Sequence, residues 1–108
     1  MSGTPLFTPK AAGTLIATCA TSTAALALTI PPGATTMRIK NIDATNTGFV
    51  TFGISTVTSV LPAGATLGGM PIGPGETVGI SIPSGTTHVA TICSTGTPIL
   101  YFTPGHGN

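Results

Sequence analysis

The stretch Ile30-Pro31-Pro32-Gly33-Ala34-Thr35-Thr36-Met37-Arg38-Ile39-Lys40-Asn41-Ile42 sets a turn directly against a strand. Its first half pairs Pro, whose ring holds φ at about −65°, with Gly, which accepts positive φ at no steric cost, so the chain reverses there. Its second half alternates apolar Met37 and Ile39 with cationic Arg38 and Lys40. That is the two-residue period of a strand with one dry and one wet face. A helix needs apolar residues three and four apart, and no window of the chain sustains that spacing.

Outward from this segment, the apolar–Pro–x–Gly–x–Thr pattern returns as Leu61-Pro62-Ala63-Gly64-Ala65-Thr66 and Ile82-Pro83-Ser84-Gly85-Thr86-Thr87, with Ile72-Gly73-Pro74-Gly75-Glu76-Thr77 as a looser form. Between such turns the candidate strands are 14–20, 24–30, 36–42, 48–55, 77–82, 88–93 and 98–103. The expected core is Leu26, Leu28 and Ile30; Met37 and Ile39; Val50, Phe52 and Ile54; and Val78, Ile80 and Ile82. The spacing of the turns predicts two three-stranded meanders, 24–54 and 77–103. Residues 56–75 form a connection long enough to hide a further strand, and are expected to cross an end of the domain and offer apolar contacts. Residues 1–12, with Pro5 and Pro9, read as an extended arm hooked by Leu6 and Phe7, and 104–108 as a mobile tail unless a neighbour holds it. The expectation is an all-β chain: a compact antiparallel β-sandwich or jelly-roll-like domain of about seven or eight short strands over 13–108, with the N-terminal arm 1–12.

Composition narrows function. Only Lys10, Arg38, Lys40, Asp43 and Glu76 carry full charges, against 22 Thr and 7 Ser. Three cations cannot neutralise a run of phosphates, so nucleic acid is not an expected partner. No apolar run reaches the length of a membrane-spanning helix, and the stretch after Lys10 is too interrupted by Thr14, Thr18, Thr21, Ser22 and Thr23 for a secretory signal; synthesis in a cytoplasm is expected. Cys19 and Cys93 lack the neighbours of a zinc site and read as two buried thiols, so neither metal nor cofactor is expected. Catalysis draws on carboxylates, imidazoles and thiolates held together. Here His88 begins a strand, His106 lies in the tail, and Asp43 and Glu76 fall in turns where each caps the backbone or meets a surface cation. A non-enzymatic structural or binding protein is the expectation. An exterior this poor in charge has little self-repulsion and suits assembly.

One ordered set of motifs goes further: Met37-Arg38-Ile39-Lys40-Asn41, then Asn46-Thr47-Gly48-Phe49-Val50-Thr51-Phe52-Gly53, Met70-Pro71-Ile72-Gly73-Pro74-Gly75-Glu76, His88-Val89-Ala90 and Leu100-Tyr101-Phe102-Thr103-Pro104-Gly105. Over roughly residues 35–108 the chain resembles the small head decoration, or cement, proteins of tailed bacteriophages. The resemblance implies a structural virion protein on the outer surface of an icosahedral head, stabilising contacts between major capsid protein subunits, and a homo-oligomer, a trimer ahead of a dimer. On that reading the contacts are Thr4, Pro5, Leu6, Phe7 and Thr8 of the arm and Leu67, Met70, Pro71 and Ile72 of the long connection, with Arg38 and Lys40 at a polar rim. The alternative is a tail- or fibre-associated glycan-binding module of the virion.

Overall fold

A computed structural model describes residues 8–9, 13–65 and 67–106, and among them the chain is all-β. In chain order the strands are β1 (Thr8–Pro9), β2 (Leu15–Thr18), β3 (Ala24–Ala27), β4 (Thr36–Asn41), β5 (Gly48–Gly53), β6 (Met70–Ile72), β7 (Thr77–Ser81), β8 (His88–Ile92) and β9 (Ile99–His106). They form two antiparallel sheets. One runs β2-β9-β4-β7, with β1 continuing the β2 edge along the far end of β9; the other runs β3-β8-β5-β6.

The pairings β2–β9, β3–β8, β4–β7 and β5–β6 describe one long antiparallel ribbon folded back at the connection after β5. Backbone bonds carry this ribbon around its corners. Cys93 N donates to Ala20 O (2.9 Å), Leu28 N to Thr87 O (2.9 Å), Ile82 N to Thr35 O (2.9 Å) and Gly75 N to Asp43 O (3.1 Å). Rolling the ribbon adds the β4–β9 and β5–β8 pairs and closes the two sheets face to face. This is jelly-roll connectivity.

The two predicted meanders therefore do not form, because β3, β4 and β5 alternate between sheets instead of lying side by side. The Pro-Gly turns are where expected, with Gly33 at φ +83° and Gly85 at +80°, but each is a corner between sheets. The reason lies in the dry faces. Leu26 on β3 with Leu28 just past its end, and Met37 and Ile39 on β4, meet across a core when the strands face each other, whereas neighbours in one sheet would leave that core one layer short.

The core is Ala17, Cys19, Met37, Ile39, Val50, Ile72, Val89, Cys93, Leu100 and Phe102, with Leu26, Leu28, Phe52, Val78, Ile80 and Ile82 packed against it. Phe102 is the largest buried side chain and meets Phe52 edge to face, centroids 6.3 Å apart at 85°. Ile54, expected inside, is 59 % exposed, since β5 stops at Gly53 and Val57 N closes a turn onto Ile54 O. Cys19 and Cys93 are buried free thiols. Burial pushes both thiol pKa values up, so both stay protonated at neutral pH. Residues 104–106, expected as part of a tail, continue β9: Gly105 pairs with Thr36 on one side and Pro9 on the other.

Candidate functional site

The two outer faces of the sandwich differ. Among the described residues the connection between β5 and β6 crosses the centre of the outer face of β3-β8-β5-β6, while Ala25 and Pro71 towards its edges stay exposed. Ser59, in the connection between β5 and β6, is buried; its N–H donates to Thr23 Oγ1 (2.7 Å) and its hydroxyl meets Thr51 Oγ1 (3.1 Å). Thr23 precedes β3 and Thr51 lies in β5, so the connection spans the sheet, and Ala90 between them is fully buried. Two glycines let the loop close. A Cβ on Gly69 would stand 2.7 Å from Ser59 Oγ and 2.9 Å from Val50 O, and one on Gly68 would strike Pro62 and Val60. The connection thus lies across a face and not across an end, as a compact loop of the Ω kind. Leu67 stands 92 % exposed on it.

Among the described residues no loop crosses the outer face of β2-β9-β4-β7. Alternation along β4 turns Met37, Ile39 and Asn41 inward, so Arg38 and Lys40 stand outward together. Register places Tyr101 and Thr77 on either side of Lys40, and Thr103 and Gly79 on either side of Arg38. Ile16, opposite Tyr101, is 58 % exposed, and Ile42, beyond the end of β4, is 43 % exposed. Thr14 and Thr103 share a hydroxyl–hydroxyl bond (2.8 Å), and Lys40 Nζ donates to Thr77 Oγ1 at 3.4 Å. The result is a hydroxyl-rich platform with two cations beside apolar Ile16, Ile42 and Tyr101.

The residues expected to make contacts are thus divided. Arg38 and Lys40 share the β2-β9-β4-β7 face. Leu67 lies on the side that the loop crosses, Pro71 is exposed on β6, and Met70 sits at the rim of the core, 36 % exposed. Ile72 corrects the expectation, because it is fully buried opposite Gly48 and presents nothing to a partner. Thr8 and Pro9 form β1 on the chain's own sheet; Thr4, Pro5, Leu6 and Phe7 lie outside the described residues. Sequence reasoning missed Ile16, Ile42, Thr77, Gly79 and Tyr101 on the same face as Arg38 and Lys40. Their shared placement depends on strand register, which alternation alone does not reveal.

Both carboxylates serve turns, as expected. Asp43 accepts from Asn46 N (2.7 Å), Thr45 N (3.0 Å) and Thr45 Oγ1 (3.3 Å), and Glu76 from Gly73 N (2.7 Å). The backbone N–H groups of Thr45 and Asn46 hold the Asp43 carboxyl below its ordinary pKa of 3.8. A depressed carboxylate contributes stability that is fully present above its unfolded pKa and lost as pH falls through the folded one. Urea-unfolding midpoints measured between about pH 5 and pH 2 are expected to fall with acid, and Asp43→Asn to flatten that slope. Parallel wild-type and variant curves would assign the acid loss elsewhere.

His88 Nδ1 and Thr87 Oγ1 are 2.8 Å apart at an exposed site. Among the described residues no three His, Cys, Asp or Glu come together as a metal set, and no helix is long and apolar enough to cross a membrane. No protein-family model matches this chain, and neither a curated protein nor a solved structure matches it.

Proposed function

We propose that this chain is a non-catalytic assembly protein that decorates the outside of an icosahedral phage head, bridging major capsid protein subunits as a homo-oligomer, a trimer ahead of a dimer. One observation carries the reading. Among the described residues a loop crosses the centre of one outer sheet face and none crosses the other, where Ile16, Ile42 and Tyr101 stand beside Arg38 and Lys40. A sheet face of mixed apolar and cationic character suits a broad, shape-matched contact with a regular shell. The carboxylates are consistent with it, since each is committed to the backbone of its own turn.

In this role the protein acts by mass action. It binds the intact shell in preference to the ruptured one, and at a concentration of 100 Kd each occupied site stabilises the shell by about 2.7 kcal/mol. Many weak sites then add up. The test is add-back. Heads lacking the protein are incubated with the purified chain and sedimented. Saturable uptake at a fixed number of copies per capsid subunit is the expected result. No uptake by heads, with binding to tails or to glycans instead, contradicts it.

A further inference from the structure

Among the described residues β7 (Thr77–Ser81) ends its sheet, and its backbone faces two ways. Asn41 N donates to Glu76 O (3.0 Å) and Ile82 N to Thr35 O (2.9 Å), so the residues that exchange bonds with β4 are those in step with 76 and 82, namely Val78 and Ile80. In an antiparallel ladder the residues between them turn their N–H and C=O groups to the other side. Those of Thr77, Gly79 and Ser81 therefore point away from the sheet, and no backbone bond to another described residue takes them.

The edge also lacks the usual guards, which are charge, Pro or a bulge. Thr-Val-Gly-Ile-Ser carries neither charge nor Pro, and Gly79 stays out of the positive-φ region of a glycine bulge. By contrast β6, the edge strand from which the chain turns into β7, has three residues with Pro71 at their centre. Packing among the described residues gives no reason for Gly79, since a Cβ there would meet nothing within 4 Å, and a glycine inside a strand often marks the close approach of another backbone. About Gly79 the strand reads nearly the same in both directions: hydroxyl, β-branched, glycine, β-branched, hydroxyl. We infer that β7 is a self-pairing edge, which joins the β7 of a second copy of this chain, antiparallel about a two-fold axis at Gly79.

This register satisfies both copies at once. Gly79 faces its own counterpart and Thr77 faces the second copy's Ser81, so each outward N–H meets a C=O. On the inner side Val78 of one copy packs on Ile80 of the other; both are only half-buried in the single chain, so pairing extends the core. On the outer side hydroxyl meets hydroxyl, with no charge to repel. An unrelated strand would gain the same backbone bonds from any edge sequence, and only a second copy makes use of the palindrome. The pairing deepens the homo-oligomer part of the proposed function, selecting a dimer over the trimer that the resemblance favours.

The test uses the full chain in solution. Amide exchange followed by NMR at rising protein concentration should show protection growing at Thr77, Gly79 and Ser81, while Val78 and Ile80, bonded to β4, are protected at every concentration. Sedimentation should show a monomer–dimer equilibrium. Two double variants at exposed positions fix the register. Thr77→Glu/Ser81→Glu sets like charges opposite each other on both sides of the axis and should weaken the dimer about tenfold, whereas Thr77→Glu/Ser81→Lys sets opposite charges there and should restore it. A trimer, a chain that stays monomeric at NMR concentrations, or equal affinities for the two variants overturns the self-pairing.

Uptake by heads lacking the protein separates this inference from the decoration reading. Self-pairing in solution without uptake of the wild-type chain overturns decoration and leaves the edge supported. Saturable uptake of a chain that never dimerises overturns the edge and leaves decoration supported.

Discussion

Asn41→Leu is expected to lower stability by about 3 kcal/mol and the melting temperature by more than about 10 °C. Asn41 is fully buried at the end of β4, and its amide satisfies three backbone groups. Nδ2 donates to Asn46 O (2.9 Å) and Ile72 O (2.9 Å), and Oδ1 accepts from Asp43 N (2.9 Å). One side chain therefore ties β4 to the following turn and, 31 residues on, to β6. Leucine matches the shape and leaves those groups unpaired, each at a desolvation cost of about 1–3 kcal/mol. Asn41→Asp separates this from a packing effect. A carboxylate there loses both donations, whereas its protonated form recovers one, so the Asp variant's deficit should shrink as pH falls. Thermal unfolding of the three proteins at neutral and acid pH checks it, and a pH-independent deficit in the Asp variant would contradict the hydrogen-bond account.

The second large effect is expected at Phe102, where truncation to Ala should cost about 4 kcal/mol. Phe102 is fully buried on β9, the strand that pairs with β1, β2 and β4, and its ring meets Phe52 from the opposite sheet. Removing it loses the transfer free energy of the ring, leaves a cavity between the sheets and forfeits the aromatic pair, itself about 0.5–1.5 kcal/mol. Against a typical total of about 5–15 kcal/mol, this variant stands near the edge of folding. Phe102→Leu retains most of the volume and should recover more than half of the loss. Denaturant titration measures both, and a cost below about 1 kcal/mol for Phe102→Ala would mean that this centre is not the core's anchor.

The strands were legible where one face is dry and the other wet. Met37–Ile39 against Arg38–Lys40 is the clearest case, and that segment is β4, with Met37 and Ile39 fully buried. Turn positions were legible for the same local reason, because Gly33, Gly75 and Gly85 all take positive φ. Which strands pair was not. The ribbon joins β2 to β9 and β3 to β8 across most of the chain, and the Pro-Gly corners suit a crossing between sheets as well as a hairpin within one. The further strand allowed for within 56–75 is β6, and its place was hidden because Pro71 sits in its centre, which is tolerated on an edge strand such as this one. With β6 unplaced, Ile72 was read as a contact although it is fully buried.

The candidate site was half visible. Two cations two residues apart on an alternating strand must share a face, and Arg38 and Lys40 do. Gly79 and Tyr101 join that face only through register, which sets Gly79 opposite Arg38 and Tyr101 beside Lys40. The covering loop was also invisible, since it depends on Ser59 reaching Thr23 over the breadth of a sheet.

The central claim is that this protein coats heads with its β2-β9-β4-β7 face toward the shell. A cryo-EM reconstruction of particles carrying it measures this most directly. The account predicts one sandwich repeated over the junctions between capsid subunits, with the β2-β9-β4-β7 face inward and capsid density against Ile16, Lys40 and Tyr101. Bare heads with the protein on the tail, or a coat in which that face points to solvent, would contradict it.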